Sequence, residues 1–476
     1  MKFNIAKQGG IKARLVYEDK IEGEYLTHLK EKELFSGKAE EVYYTLDSDL
    51  KARLFIGLGK EEKIDFEVLR KTFFKVSGEL LKNKAGEVEL NIPKLNNLCN
   101  YRIASAIAEG MLQAAYKYDT FKSERKEAPE LVVNYNPIKG KEHRAEKGVN
   151  EAVKLMEAVC LARDLVNQPA NVIYPETLAQ TAKDKLESKG VKVSIYGKKE
   201  IEDLKMEAFL SVARASAKEP KLIVMEYYNN PESDEKIALV GKGVTYDSGG
   251  YAIKPADSMV DMFCDMGGAA AVIGAVHALA GLEAKVNVVG VVAACENMIS
   301  GDGFRNGDII GSMSGKTIEI INTDAEGRLT LADAVYYATN NLKAAKLIDL
   351  ATLTGACAAA LGEQVSGAVT NNDEFFAELE RANQRAGELV WKMPNIDYYK
   401  KMNESKVADI KNRGGKLGGM MSAGLFVGSF LAKEDIPWIH IDIAGTAYIS
   451  EAYGYLKEKA TGVPVKSLYF MLSKET

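Results

Sequence analysis

The chain is poor in the residues that most often mark a reaction centre. Its 476 residues include four histidines, His28, His143, His277 and His440, and no HExxH. Neither a histidine-rich zinc site nor a Ser-His-Asp triad is therefore supported. His277, in the middle of an apolar helical stretch, reads as a core residue. The five cysteines (Cys99, Cys160, Cys264, Cys295, Cys357) are scattered, odd in number and never spaced CxxC; they read as buried thiols in a reducing compartment. Basic residues form no long block, and 62 Lys+Arg against 67 Asp+Glu leave a net charge of −5. That balance speaks against a dedicated nucleic-acid or anionic-membrane surface. The start, MKFNIAKQGG, has no apolar h-region and no small-residue cleavage site, so no signal peptide is expected and the chain reads as cytoplasmic. The longest apolar run, Gly267 to Leu282, is too short and too rich in Gly and Ala to span a bilayer and reads as a buried core helix. No repeat of solenoid period occurs.

What is present is an ordinary globular composition, 46% apolar and 27% charged, in a chain long enough for two or three domains. The first part alternates short strand-like runs (ARLVYE, EVYYTL, ARLFIGLG, EVELNIP, ELVVNYN) with helical patterns at DFEVLRKTFFKVSGELLKN and YRIASAIAEGMLQAAYKY. Charged stretches at Lys122 to Glu130 and Lys139 to Gly148 read as solvated connectors. A helix from about Val149 to Val166 is expected to stop at NQPAN, where Pro169 ends it. The expected division is an N-terminal α/β domain over 1–150, a linking helix over 151–168 and a catalytic domain over 169–476. In the latter, runs apolar on both faces (KVSIY, KLIVMEY, KIALVG, KVNVVGVVAA, TIEII, KLIDLAT, WIHIDIAG) alternate with helices. This predicts an α/β fold with a mostly parallel sheet covered by helices on both faces.

In such sheets function sits in the loops at the carboxyl ends of the strands. Polar residues cluster there. KGVTYDSGGYAIKP carries Lys242, Asp247 and Lys254, and ADSMVDMFCDMGG carries Asp265. NTDAEGRL carries Asp324, Glu326 and Arg328, just after the apolar run TIEII. If that octapeptide is extended, its three charged side chains project to one side. Two carboxylates side by side repel, and either Arg328 or a metal ion could supply the cation between them. Asp247, Asp265, Asp324 and Glu326 are enough to hold two divalent cations, which can share a hydroxide and clamp a tetrahedral intermediate. Each acid also has a plain structural reading as a helix cap or lysine partner, and Asp265 is a good candidate to cap the helix at MGGAAAV. Lys242 could ligate a metal only as the neutral amine. Lys254, beyond the Gly249–Gly250 turn, would more naturally stay protonated and stabilise an oxyanion. The glycine-rich segments GKGVTYDSGG and NRGGKLGGM (Asn412 to Met420) fit neither GxGxxG nor GxxxxGKS, so their glycines point to tight turns or close approach of a substrate chain.

Taken together, VGKGVTYDSGGYAIKP, DMGGAAAV, NTDAEGRLTLADA, DLATLTGA, HIDIAGTA and RDLVNQPANVIYP resemble the leucine aminopeptidases of the cytosol aminopeptidase type, in order and in spacing, from Arg163 to the C-terminus. The resemblance implies a two-metal exopeptidase, assembled as a hexamer, that removes N-terminal Leu, Met and other apolar residues from peptides. By that resemblance Lys242, Asp247, Asp265 and Glu326 would hold one Mn²⁺ or Zn²⁺ ion. Asp247, Asp324 and Glu326 would hold a second, more exchangeable one. Lys254 and Arg328 would be the catalytic pair, with a bicarbonate ion at Arg328 as general base. Met262, Thr352, Gly355, Ala444 and Ala447 align with the pocket for the first side chain, roomier for having Ala447. The chain departs from the pattern at Tyr246, where phenylalanine is usual, and at Lys416, where many members have arginine. A non-catalytic metal- or nucleic-acid-binding protein on the same scaffold would be expected to lose Lys254 or Arg328, and both are present. Phosphoryl transfer would need a phosphate-cradling loop, which the sequence does not offer.

Overall fold

The computed structural model describes residues 1–95, 98–125 and 130–474. The chain divides into two compact units, Met1–Glu157 with Ala452–Leu456, and Ala158–Glu451 with Lys457–Thr476. The division falls inside a 26-residue helix, Glu142–Asn167. That helix begins well before Val149, so most of the stretch Lys139 to Gly148 is helical rather than a connector. Its charges lie on a helix whose other positions, Ala145 and Val149, are buried. The charge density was misleading because only every third or fourth position has to be apolar in a half-buried helix. Part of the other expected connector, at 126–129, lies outside the described residues.

The smaller unit is a six-stranded sheet in the order Lys2–Ile5, Val132–Asn136, Glu87–Asn91, Ile11–Val16, Ala52–Gly57, Val42–Leu46. All neighbours are parallel except the last pair. The strand Lys2–Ile5 lies outside the expected runs, since an alternation of only four residues, KFNI, is too short to stand out. The helix Phe66–Lys82 starts at Asp65, whose side chain accepts from the Val68 N–H, and buries Leu69, Phe73, Val76 and Leu80 on one stripe. It packs against Asn100–Ala115.

The larger unit holds an eight-stranded mixed sheet in the order Leu389–Lys392, Val365–Thr370, Trp438–Asp442, Lys346–Ala351, Ile237–Asp247, Asn287–Asn297, Lys221–Tyr228, Lys192–Tyr196. The four central strands run parallel. Antiparallel pairings flank them on either side. Val365–Thr370 and Leu389–Lys392 were not anticipated. The run TIEII contributes only Ile318–Glu319, and to a separate three-stranded sheet with Ile309–Ile310 and Ile410–Lys411 rather than to the main one. Of the cysteines, Cys264, Cys295 and Cys357 are buried, but Cys160 is half-buried and Cys99 exposed, which corrects the reading of all five as buried.

The apolar stretch beginning at Gly267 forms the helix Gly267–Gly281, with every residue buried up to Ala280, His277 included. It packs on the central strands Ile237–Asp247 and Lys346–Ala351. Gly268 sets how closely. A Cβ there would stand 2.1 Å from the Leu350 carbonyl oxygen and 2.8 Å from the Lys242 nitrogen. Both neighbours are main chain and cannot swing aside, so the sheet would have to move. Gly268→Ala should destabilise the protein by about 1–3 kcal/mol or more, as overpacking does, read as a lower denaturation midpoint. A midpoint equal to the parent's would contradict this packing.

Candidate metal centre

The strand Ile237–Asp247 does not stop where the apolar run ends; it continues to Asp247, so Lys242 lies within it and not in a following loop. Lys242 and Asp247 are five residues apart, and strict alternation would put them on opposite faces. Pairing with Asn287–Asn297 shifts register, however. Val244 faces Cys295 and Tyr246 faces Glu296, which leaves Thr245 as one extra residue. Such a bulge reverses the alternation beyond it. Both side chains thereby reach the same cluster, a consequence that spacing alone could not reveal.

Oxygens of Asp247, Asp265 and Glu326 lie within 4.8 Å of one another, all on buried residues. Two lysines supply the positive charge. The Lys242 ammonium forms ion pairs with Asp265 Oδ2 at 2.7 Å and Glu326 Oε1 at 3.0 Å, and donates a hydrogen bond to the Thr352 carbonyl at 3.0 Å. It reaches them past Gly327, where a Cβ would stand 2.4 Å from Lys242 Cε. Lys254 contacts Asp247 Oδ2 at 2.9 Å and Asp324 Oδ1 at 2.5 Å. Asp324, outside the tightest trio, is thus tied to it through Lys254. Asp265 does not cap the following helix, whose N-cap position is Met266. Its carboxylate instead takes Lys242 and, at 2.7 Å, the Thr352 hydroxyl.

Burial dominates the electrostatics. It pushes the Asp265 carboxyl up to about 8 and Asp247 up to about 6, with Lys242 acting against it in both and the neighbouring carboxylates adding to it. Asp324 is raised by burial and by Glu326. Glu326 is held low despite its burial, because Lys242 and Lys254 favour its charged form. Burial disfavours the ammonium of each lysine, but the surrounding carboxylates outweigh it and raise both pKa values. The donor set suits divalent cations. Glu326 Oε2 is buried with no hydrogen-bond partner among the described residues, and hard carboxylate oxygens in excess of nearby positive charge are what such ions require.

The segment 322–328 is not extended. Asn322 Oδ1 accepts from the Asp324 N–H at 2.8 Å, closing a turn, and the helix Gly327–Asn340 begins at once. Asp324, Glu326 and Arg328 therefore owe their placement to a turn and a helix start, not to strand alternation. Asn412 holds that turn. Its amide accepts from Ile321 at 2.8 Å and donates to the Asn322 carbonyl at 2.7 Å, and its own carbonyl accepts from Arg328 at 2.8 Å. Arg328 is buried, and its Nε has no hydrogen-bond partner among the described residues. Burial lowers its pKa to about 10, and Arg413 pushes the same way. An unpartnered buried N–H on a guanidinium fits an anion. The glycines around Lys416 serve turns and close packing within the chain: Gly418 has φ 61°, and a Cβ on Gly414 would stand 2.8 Å from Met402 Cβ.

Of the expected pocket residues, Thr352 and Ala447 stand beside these groups. Thr352 and Ala447 converge on Gly267, where a Cβ would lie 3.1 Å from Ala447 and 3.2 Å from Thr352. Among the described residues nothing lies within 4 Å of where a Cβ on Gly355 would stand, so that wall is open. Met262 begins the short helix Met262–Cys264 that leads into Asp265. Asp442, which sequence reasoning missed, joins the other two segments. Its buried carboxylate accepts from the Thr354 hydroxyl at 2.6 Å, from Leu353 N–H at 3.3 Å and from Ala444 N–H at 3.1 Å. Asp442 lies within HIDIAGTA and Asn412 opens NRGGKLGGM, but the pattern of neither segment singles out that residue; Asn297 belongs to no quoted motif.

Buried carboxylates brought together with two lysines, as at Asp247, Asp265 and Glu326, are the donor set of a metal-dependent hydrolase. Comparison with known proteins makes this specific. The catalytic domain of the cytosol aminopeptidase family matches residues 160–469, and the N-terminal domain of that family matches residues 7–125. The chain belongs to the cytosol aminopeptidase family and is an aminopeptidase. It is 83% identical over 475 residues to a probable cytosol aminopeptidase of Treponema denticola, covering 100% of both chains. Among solved structures it resembles a tomato leucine aminopeptidase mutant with a TM-score of 0.88 at 33% identity, covering 100% of this chain and 97% of that one. It also resembles the bottromycin maturation enzyme BotP in complex with Mn, with a TM-score of 0.88 at 31% identity, covering 98% of each chain. The family is metal-dependent.

The link from Asp442 to Thr354 is testable by itself. Thr354 also accepts from the Cys357 N–H as the N-cap of the helix Gly355–Leu361. Thr354→Val should cost about 1–2 kcal/mol in chemical denaturation, from a lost cap and an under-satisfied buried carboxylate. Thr354→Ser, which keeps the hydroxyl, should stay near the parent. Equal stability of the Val and Ser variants would contradict the link.

Proposed function

We propose that this aminopeptidase is a two-metal exopeptidase that removes N-terminal Leu, Met and other apolar residues from peptides in the cytoplasm. The observation that carries the reading is the convergence of Asp247, Asp265, Asp324 and Glu326 around Lys242 and Lys254, with Glu326 Oε2 left unpartnered among the described residues. Lys242, Asp247, Asp265 and Glu326 would hold one divalent cation, Mn²⁺ or Zn²⁺, and Asp247, Asp324 and Glu326 a second. Bound there, the pair would supply Lewis-acid activation of the scissile carbonyl and of water. To ligate, Lys242 must give up its proton, since an ammonium offers no lone pair.

The remaining work falls to the chain itself. Lys254 reaches the centre from just beyond the Gly249–Gly250 turn, so its charge can serve the oxyanion of the tetrahedral intermediate. Arg328, held by the Asn412 carbonyl, keeps Nε–H open for a bicarbonate ion as general base. Thr352, Gly355, Ala444 and Ala447, with Met262 at the approach, would receive the first side chain. An apolar pocket separates neighbouring aliphatics by only about 1–3 kcal/mol, so the preference should be graded. A free N-terminal amine would be needed at the centre, which excludes blocked peptides.

Chelator-stripped protein should be inactive on leucyl amides and recover with Mn²⁺, Zn²⁺ or Co²⁺. N-acetylated peptides should be refused throughout. In the same assay Lys254→Ala should lower kcat by about two to three orders of magnitude at parental metal content, whereas Asp324→Ala should lose metal as well. Full activity of metal-free protein would overturn the reading, and a metal-depleted Lys254→Ala would overturn the role given to Lys254.

A cytoplasmic peptidase of broad preference has to be kept from the termini of folded proteins, and a closed symmetric assembly does this by size exclusion. The expected state is a hexamer. Sedimentation should give a particle of about six times the 52.0 kDa subunit mass. A fully active monomer at nanomolar concentration would refute the assembly and leave the metal chemistry untouched.

A further inference from the structure

We propose that Asn297 is a positioning residue of the centre: its side-chain amide locks the Asp247 carboxylate to the 323–326 segment, so that ligands from two separate strand ends face the same cations. This inference rests on the two-metal reading and adds to it a group outside the ligand set.

Asn297 is the last residue of the strand Asn287–Asn297 and is fully buried. Beyond the bulge it stands in register with Asp247. Its Nδ2 donates to Asp247 Oδ1 at 2.8 Å and to the Thr323 carbonyl at 3.1 Å. Its own carbonyl accepts from the Ser248 N–H at 3.0 Å and the Ser248 hydroxyl at 2.7 Å. One residue thus grips the end of the Asp247 strand, the Asp247 side chain and the loop that delivers Asp324 and Glu326. Thr323 completes the join, since its hydroxyl donates to the Gly249 carbonyl at 2.7 Å.

The orientation of the amide follows from its surroundings. The two groups on one side, a carboxylate and a carbonyl, are both acceptors, so that end of the amide has to be the NH₂. The other end, Oδ1, has no hydrogen-bond partner among the described residues and faces Gly250, where a Cβ would come within 3.0 Å of it. A buried acceptor left unpaired is unfavourable. It persists here because rotating the amide would set oxygen against the Asp247 carboxylate.

The consequence for Asp247 is specific. Its Oδ1 is occupied by Asn297 and by the Gly249 N–H at 2.9 Å, which leaves Oδ2 as the oxygen that meets Lys254. Asp247, like Glu326, is assigned to both cations, so its rotamer affects both. A donor is required at this position, and a neutral one. A lysine or arginine would compete with the cations for Asp247, and an aspartate would add a fifth acid. Groups that orient metal-binding carboxylates in this way are typically worth 10–100-fold in metal affinity.

The test is calorimetric titration of Mn²⁺ into the chelator-stripped full-length protein, for the parent, Asn297→Ala and Asn297→Ser, with thermal unfolding measured with and without Mn²⁺. Both variants should bind at least one Mn²⁺ about 10–100-fold more weakly than the parent. The rise in unfolding temperature on adding Mn²⁺ should shrink accordingly. A merely structural role would lower the unfolding temperature of the stripped protein while leaving the affinity unchanged. Parental affinity in either folded variant would overturn the proposal, and so would failure of both to fold, which would assign Asn297 to the fold. If the parent itself binds no Mn²⁺, the two-metal reading fails, and that outcome is seen before any variant is compared.

Discussion

The larger unit is organised around a cost: three buried carboxylates, Asp247, Asp265 and Glu326, with a fourth, Asp324, half-buried at their edge. At an effective dielectric of about 20, two unit charges 4 Å apart interact by about 4 kcal/mol, so such a group cannot persist without cations among its members. The fold supplies them as Lys242 and Lys254, and much of the local geometry exists to deliver them. The bulge at Thr245 turns Asp247 to the face of Lys242. Gly327 lets the Lys242 side chain pass, and Gly268 lets the helix that follows Asp265 press against the strand that carries Lys242. Buried charges left unpaired are strongly destabilising, so each of these backbone details contributes to stability through the electrostatics it permits.

The two lysines are not equivalent. Lys242 is 4% exposed at its side chain and anchored at three points inside a central strand. It can change only its proton. Lys254 is 15% exposed, follows two glycines with φ of 85° and 61°, and pairs with Asp247 and Asp324, two of the three carboxylates assigned to the second cation. On the proposed reading, a cation held by Asp247 and Asp324 would compete with Lys254 for their oxygens, and the ammonium would serve the substrate. By the same reading, the fully enclosed lysine is the ligand and the more exposed one the oxyanion donor.

Much of this was legible in the sequence. Alternating apolar runs and helices gave the α/β class, and NTDAEGRL with VTYDSGG gave the charged residues that the structure brings together. The reasons for their convergence were not legible. Asp324, Glu326 and Arg328 looked like one face of an extended segment, but Asn322 closes a turn and Gly327 starts a helix, so the right residues were found by the wrong geometry. A register shift such as that at Thr245 depends on the partner strand and leaves no trace in one segment. Asn297, Asn412 and Asp442 escaped notice because their roles depend on partners far along the chain, Asp247, Ile321 and Thr354, which no local pattern reveals. The strands Val365–Thr370 and Leu389–Lys392 were missed for a related reason: one is rich in small residues and the other only four residues long, so neither carries a periodic signal.

On the proposed reading, the carboxylates gathered around Lys242 and Lys254 hold two divalent cations. Crystals soaked with Mn²⁺ and measured at its absorption edge test it most directly. The account predicts two anomalous peaks flanked by the carboxylates of Asp247 and Glu326, with the Lys254 ammonium withdrawn from Asp324. A fully soaked crystal with no peak in the cluster, or with Lys254 still bridging Asp247 and Asp324, would contradict it.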